Sequence, residues 1–508
     1  MTSEARGALD RSMVRAVAWG AGAKWASQVF TWVATIIVAR LLHPYDYGLV
    51  GMAGIYVNLT TLISQIGIPD AIITLRDLTR RQIAELNAVA LLLSVALVAL
   101  SCGMAFPIAR FFSAPPLRAV LIVASTTYLI NAFQVVPRAL LQKELRFKLL
   151  AAIETVRAIA QMLATLVFAW MGFGYWSLVN GVILGGAVAT ALTLCWRRYG
   201  FAVPNLANIY RELRFSGHVT VSGVGWYVYS NADFLVAGRV LGEAPLGDYT
   251  VAWTISSAPI EKIGNLLTGV TPAFFSAVQN SKSELRRYFL RLSEALAYVT
   301  VPASIGIVLV ADYLVPVLLG PNWSGVVGPL RWLGILVAFR SLTTMLPKLL
   351  TALNETKFVM WTTVISAIVM PFGFFIGSRW GTKGIAIAWI VIYPPIMLPL
   401  YYRIFRRIET NVREYLSAVM PAVGASTIMT VALLLLRSTL PRDWSLTARF
   451  VLLIAAGTLC YASALFALYR RRMAQLFRAV RRMRNEQMQP EQMESDNPPS
   501  AIVGARLD

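Results

Sequence analysis

The stretch Val38-Ala-Arg-Leu-Leu-His-Pro-Tyr-Asp-Tyr-Gly48 ends one apolar segment and opens the next. It has an echo at Ala237-Gly-Arg-Val-Leu-Gly-Glu-Ala-Pro-Leu-Gly247. In each copy an arginine, Arg40 or Arg239, follows a long apolar run, and a glycine, Gly48 or Gly247, lies eight positions on. A proline stands in each turn, Pro44 in one and Pro245 in the other. A second echo sets Lys143-Glu-Leu-Arg-Phe147 against Asn354-Glu-Thr-Lys-Phe358. The offsets are 199 and 211 residues, and both echoes fall at matching points of a six-segment count. One half of the chain reads as a duplicate of the other.

Composition sets the solvent. Of 508 residues, 57% are hydrophobic and 14% charged, and the mean hydropathy is +0.62. A soluble domain carries about 25% charged residues, so this is an all-α polytopic membrane protein. Apolar runs long enough to cross about 30 Å of hydrocarbon place about fourteen spans. They lie near 17–39, 47–69, 84–107, 119–137, 149–171, 175–196, 218–239, 248–272, 292–314, 326–347, 357–377, 384–402, 415–436 and 447–469. This predicts two parallel-repeat six-helix lobes plus two C-terminal helices. The expected divisions are residues 1–205, 206–412, 413–470, and a basic amphipathic segment with a disordered tail at 471–508.

A net charge of +21 would suggest nucleic acid in a soluble protein. Here the basic residues sit in short loops. Of 46 lysines and arginines, 32 fall in alternate loops starting from the N-terminus, ten on the other side and four within spans. That asymmetry predicts both termini in the cytoplasm and no nucleic-acid partner. Because six spans per repeat is even, the halves insert in the same sense. Amphipathic stretches at Leu206–Leu213, Leu285–Leu292 and Met473–Val480, flanked by arginines, fit the headgroup region. Cys102, Cys195 and Cys460 lie singly in apolar runs, which indicates neither disulfides nor a metal site. No cleavable signal peptide is read, the first apolar run being too long.

The sequence has no Gly-x-x-x-x-Gly-Lys-Ser/Thr loop and no His-Glu-x-x-His pattern, and it leaves no large outer loop for a glycosyl-transfer site. A transporter is expected rather than an enzyme, with no cofactor beyond a coupling proton or sodium ion. Its machinery must come from polar residues within spans, each of which costs about 2.5–3.5 kcal/mol if charged and uncompensated. Lys24, Gln28 and Thr31 form a stripe on span one; Trp226, Tyr229 and Asp233 form one on span seven. Glu154, Arg157 and Gln161 line span five, Glu261, Lys262 and Asn265 follow Pro259 in span eight, and Arg340 sits well inside span ten. Competing readings stand beside these. Lys24 is close enough to the edge to snorkel, Glu154 and Arg157 can neutralise one another, and Arg40 and Arg239 lie where headgroups anchor cations. Arg340 has no acid at i±3 or i±4. The excess of cations suits an anionic ligand, with Arg340, Lys24 and Arg157 as cavity cations and Gln28, Trp226 and Tyr229 beside them. Asp233 is the leading counter-charge, followed by Glu154, Glu261 and Lys262 as coupling candidates.

Ala39–Gly48 resembles the opening signature of the Wzx-type polysaccharide flippases of the multidrug/oligosaccharidyl-lipid/polysaccharide exporter superfamily. The segment Asn231-Ala-Asp-Phe-Leu-Val-Ala-Gly-Arg-Val-Leu-Gly242 resembles that family's seventh-helix region, as do Leu319-Gly-Pro-Asn-Trp323 and Leu350-Thr-Ala-Leu-Asn-Glu-Thr-Lys357 elsewhere. The likeness covers roughly residues 12–410, with Arg40, Pro44, Gly48, Arg239 and Gly247 as its signature positions. It implies transfer of undecaprenyl-diphosphate-linked oligosaccharides across a bacterial inner membrane for exopolysaccharide or lipopolysaccharide synthesis. The implied partners are that polyprenyl-diphosphate glycan, membrane lipids and the polysaccharide polymerase or export machinery. The alternatives are a multidrug exporter of the same superfamily and a membrane glycan polymerase or ligase.

Overall fold

The structure is a computed structural model, and it describes residues 33–65, 67–75, 78–205, 210, 224–228, 230–268, 281–441 and 443–486. Among these residues the regular structure is helical. In the first half, α1 is described over 33–41, followed by α2 (Pro44–Gln65), α3 (Ile68–Thr74), α4 (Arg80–Phe112) and α5 (Leu117–Ala124). Then come α6 (Thr126–Lys143), α7 (Phe147–Trp170) and α8 (Tyr175–Trp196). The second half holds α9 (Ala232–Leu241), α10 (Glu243–Thr268), α11 (Lys282–Leu318), a 3-10 turn (Pro321–Val326), α12 (Val327–Thr343) and α13 (Leu346–Ala352). It continues through α14 (Thr356–Gly377) and α15 (Gly381–Arg407); α16 (Val412–Thr439) and α17 (Leu446–Glu486) follow.

Ten helical stretches among the described residues are long and apolar enough to cross a membrane. One of them, Thr356–Arg407, joins two expected spans across the short break at 378–381. The expected first span lies mostly outside the described residues, and the seventh is described only in part. The amphipathic stretch at Leu206–Leu213 lies outside them except for residue 210, and the side chains of the one at Met473–Val480 lie outside them too. Large apolar side chains point outward along the helices, among them Leu92, Trp170, Phe372 and Leu435. In water that surface would drive aggregation; in a bilayer it faces chemically similar lipid, as an integral multi-pass protein requires.

Local sequence sets the helix ends. Thr79 caps α4: its hydroxyl accepts from the Gln82 amide at 3.2 Å, while Gln82 Oε1 accepts from the Thr79 amide at 2.9 Å. Ser281 caps α11 by accepting from the Glu284 amide at 3.4 Å. Small residues set the helix spacing. A Cβ on Gly181 would lie 1.9 Å from Thr165 Oγ1, and one on Gly185 would lie 2.7 Å from the Gln161 Cβ. The Gly181-x-x-x-Gly185 spacing therefore lets α8 lie directly against α7. The two extra helices stack on the second half: α16 lies along α11, and α17 against both.

The second sequence echo becomes the same device in each half. Glu144 binds Arg197 at 2.8 Å, at the end of α8, and Arg146 at 3.3 Å. Glu355 binds Arg403 at 2.9 Å and also Arg407, at the end of α15. Both turns pass through left-handed backbone, at Leu145 with φ 57° and Asn354 with φ 60°. The hydrogen bond from Arg403, joined by Arg407, holds the Glu355 carboxyl below the usual carboxylate range despite partial desolvation. Glu355→Gln should lower the melting temperature of the purified protein by about 2–4 °C, the effect of about 1 kcal/mol in a large domain. Glu144→Gln should do the same, with differential scanning fluorimetry as the measurement for both.

Candidate functional site

The first echo forms a crossing between the halves. Here α2 meets α10 with almost no side chain between them. A Cβ on Gly48 would lie 1.7 Å from the carbonyl oxygen of Glu243, and one on Gly247 would lie 1.8 Å from that of Pro44. Pro44 and Glu243 stand 199 residues apart, as do Gly48 and Gly247. The contact is thus reciprocal, as at an interface on a twofold axis. Any side chain at either glycine would push the helices apart.

The arginines of the echo reach across the same end. Arg40 donates from Nε to the Leu318 carbonyl at 2.9 Å and from its guanidinium to that of Val317. These are last-turn carbonyls of α11, which lack partners within the helix. Arg239 donates to Ser113 Oγ at 3.3 Å, at the C-cap of α4, and lies over the Phe111 ring at 5.3 Å. Trp323, fully buried, donates from its indole nitrogen to the Ala39 carbonyl at 2.8 Å and meets Tyr47 edge-on at 5.1 Å. Arg40 thus caps a helix of the other half, and Arg239 reaches the C-cap serine of one, while both side chains stay exposed at that end. Tyr227 adds bonds to the carbonyls of Gly54 at 3.4 Å and Ile55 at 3.1 Å.

Behind this seal lies a cavity of about 460 Å³ whose lining includes Tyr47, Asn58, Gln161, Tyr227 and Phe234. It meets a second cavity of about 520 Å³ at Thr127, Val182 and Ile183. The second is lined by Arg138, Glu154, Arg157, Asn131 and Gln134. Glu154 and Arg157 do pair, Nε to Oε2 at 2.8 Å, but Arg138 from α6 binds the other oxygen of the same carboxylate. Arg157 also donates to Gln161 Oε1 at 3.3 Å. Sequence reading missed Arg138 by assigning it to the loop after span four. The signal was Pro137-Arg138 still inside an apolar helical run.

A second polar cluster lies wholly within the second half. Asp233 is fully buried; its Oδ2 accepts from Tyr249 Oη at 2.8 Å and from Trp389 Nε1 at 2.9 Å. Arg340 on α12 holds its guanidinium 5.0 Å from the Trp253 ring and 5.6 Å from the Trp389 ring, within electrostatic reach of Asp233. Two π faces and a carboxylate on another helix thus compensate an arginine that has no acid on its own helix. Of the expected Trp226–Tyr229–Asp233 stripe, only Trp226 and Asp233 lie among the described residues. The backbone at Asn231 leaves helical dihedrals (φ −121°, ψ 12°); Trp226 is 60% exposed and Asp233 is buried. Lys24, Gln28, Thr31 and Tyr229 lie outside the described residues. Glu261, Lys262 and Asn265 are on α10, with side chains outside them.

The fold and the paired cavities are those of a multi-pass transporter. A family model described as "Polysaccharide biosynthesis protein" matches residues 37–328, and the chain belongs to that family. It is 24% identical over 427 residues to the lipopolysaccharide biosynthesis protein WzxC of Escherichia coli, covering 80% of this chain and 82% of that one. It is also 24% identical over 434 residues to the teichuronic acid biosynthesis protein TuaB of Bacillus subtilis, covering 83% and 88%. Among solved structures, the lipid II flippase MurJ superposes with a TM-score of 0.68 at 12% identity, over 88% of this chain and 99% of that one. An inward-facing multidrug resistance transporter of the MATE family gives 0.59 at 17% identity, over 76% and 96%. At such identities these structures establish the fold alone.

If the glycine crossing is the seal, Gly48→Val should open it. Asn58→Cys, in a background freed of the three native cysteines, should become reactive to an impermeant maleimide from the side carrying Pro44 and Glu243. The same cysteine should stay protected when Gly48 is retained.

Proposed function

We propose that this protein is a flippase moving a polyprenyl-diphosphate-linked oligosaccharide across the bacterial cytoplasmic membrane by alternating access. The observation that carries the reading is a sealed end over a basic cavity in a chain of the polysaccharide biosynthesis family. A diphosphate leaving water needs fixed cations, since hydrocarbon offers no solvation. Arg138 and Arg157 supply two guanidinium forks on the cavity wall, suited to phosphate oxygens. Asn131, Gln134 and Gln161 offer hydrogen-bonding groups for the sugars nearby. The prenyl tail stays in lipid throughout. Names of relatives point the same way: "Succinoglycan biosynthesis transport protein ExoT" of Rhizobium meliloti is 21% identical over 417 residues.

The lobes in this reading are residues 1–205 and 206–412, with both termini cytoplasmic, and the sealed end faces outward. Asp233 with Arg340 is the candidate place for a coupling proton or sodium ion to act. A polysaccharide polymerase takes the product on the outer side. A multidrug exporter for cationic drugs would need acids rather than arginines in the cavity, so that reading is less favoured.

In cells lacking the native flippase, Arg138→Ala or Arg157→Ala should cut glycan export at least tenfold while the protein still inserts. Arg157→Lys should keep part of the activity, having charge without the fork. Arg340→Ala should also abolish export; normal export by that variant would assign Arg340 to structure alone. Ser281→Cys should be labelled only after the membrane is permeabilised, and labelling in intact cells would reverse the orientation.

A further inference from the structure

Two arginines from different helices converge on one acid in the second cavity. Arg138 of α6 donates to Oε1 of Glu154, and Arg157 of α7 donates to Oε2 at 2.8 Å. All three side chains are half-buried on the cavity wall. Two guanidiniums around one carboxylate leave a net positive charge. Arg138 makes no other hydrogen bond among the described residues, so most of its donors are unspent. A carboxylate shared between two forks has the donor pattern that a phosphate group would meet there. Glu154 therefore sits where a bound phosphate would sit.

We propose that Glu154 is an internal competitor for the phosphate position, setting how tightly the site holds a diphosphate and how fast it lets go. In the empty protein it spans both arginines, so their like charges can share a half-desolvated wall. A phosphate oxygen must displace it to bind. On release, the carboxylate recaptures the guanidiniums, and no bare pair of cations is left behind. Without the competitor, two free forks in a partly dry cavity would bind the anion more tightly and hold it longer. The apparent affinity is the intrinsic affinity multiplied by the fraction of protein in which Glu154 has swung away. This inference takes the diphosphate chemistry from the proposed function, but it concerns the site, whether the diphosphate belongs to a lipid or is free in solution.

The test uses the full chain in phosphatidylcholine nanodiscs, titrated calorimetrically with inorganic pyrophosphate and separately with farnesyl diphosphate. Glu154→Gln should bind both about tenfold more tightly than the parent, as expected for removal of a charge-assisted competitor. Arg138→Ala/Arg157→Ala should lose the binding. Glu154→Asp, one methylene shorter and able to reach only one arginine, should fall between the parent and the Gln variant. In transport, Glu154→Gln should lower KM and kcat together, the mark of slowed release. Binding by Glu154→Gln no tighter than the parent would mean that the acid merely orders the arginines, and would overturn the proposal. Parent-like binding by the double arginine variant would overturn it too. Farnesyl diphosphate bound much more tightly than pyrophosphate would identify a lipid-linked ligand. Tighter binding by Glu154→Gln without glycan export by the parent would sink the flippase reading and leave this one standing.

Discussion

Backbone contact between α2 and α10 is the constraint on which the rest of the structure depends. Helix axes approach this closely only where no side chain intervenes, and here Gly48 faces the Glu243 carbonyl and Gly247 that of Pro44 across a local twofold relation. Around that crossing several polar groups at the helix ends find partners in the other half. The exposed carbonyls of α11 are met by Arg40, that of Ala39 by the Trp323 indole, and the cap of α4 by Arg239. Helix-end carbonyls lack partners within their own helix. Pairing them across the halves makes the seal favourable and also breakable, because helix-end carbonyls can be hydrated once exposed.

The cavity follows from the same arrangement. The first cavity is lined by residues of both halves, among them Tyr47, Asn58, Tyr227 and Phe234, whereas the second is lined by residues of the first half. The wall of the first is mostly apolar, and the Arg138–Glu154–Arg157 cluster lines the second. An anionic headgroup would find compensation there, and its apolar carrier would not need to enter. The second half places its ionisable pair differently. Asp233 is enclosed by Tyr249 and Trp389, and Arg340 is spread over two indole faces. The two halves repeat their ends and turns, yet their interiors have diverged toward different chemistry.

The repeated turn at Glu144 and Glu355 shows how duplication conserves a physical solution rather than a string of letters. Each acid ties a tight left-handed turn to the last arginines of the helix that closes its half. The identity of the surrounding residues changes, but the charge pairing and the backbone conformation do not.

Much of this was legible in the sequence because the bilayer imposes one-dimensional rules: span length, loop charge and the spacing of Arg40–Gly48 and Arg239–Gly247 are properties of the chain itself. They gave the all-helical membrane fold, the repeat and the candidate in-span charges. Partnership across helices was not legible. Arg138 looked like a loop cation until α6 and α7 placed it on Glu154. Nothing in the spacing of Arg40 and Arg239 announced that each would reach residues of the other half. Trp226 is exposed and Asp233 buried, with a departure from helical dihedrals at Asn231 between them that their spacing did not show. Sequence spacing orders side chains only along an unbroken helix, whereas charge compensation is decided by which helices meet, and that is a property of the tertiary fold alone.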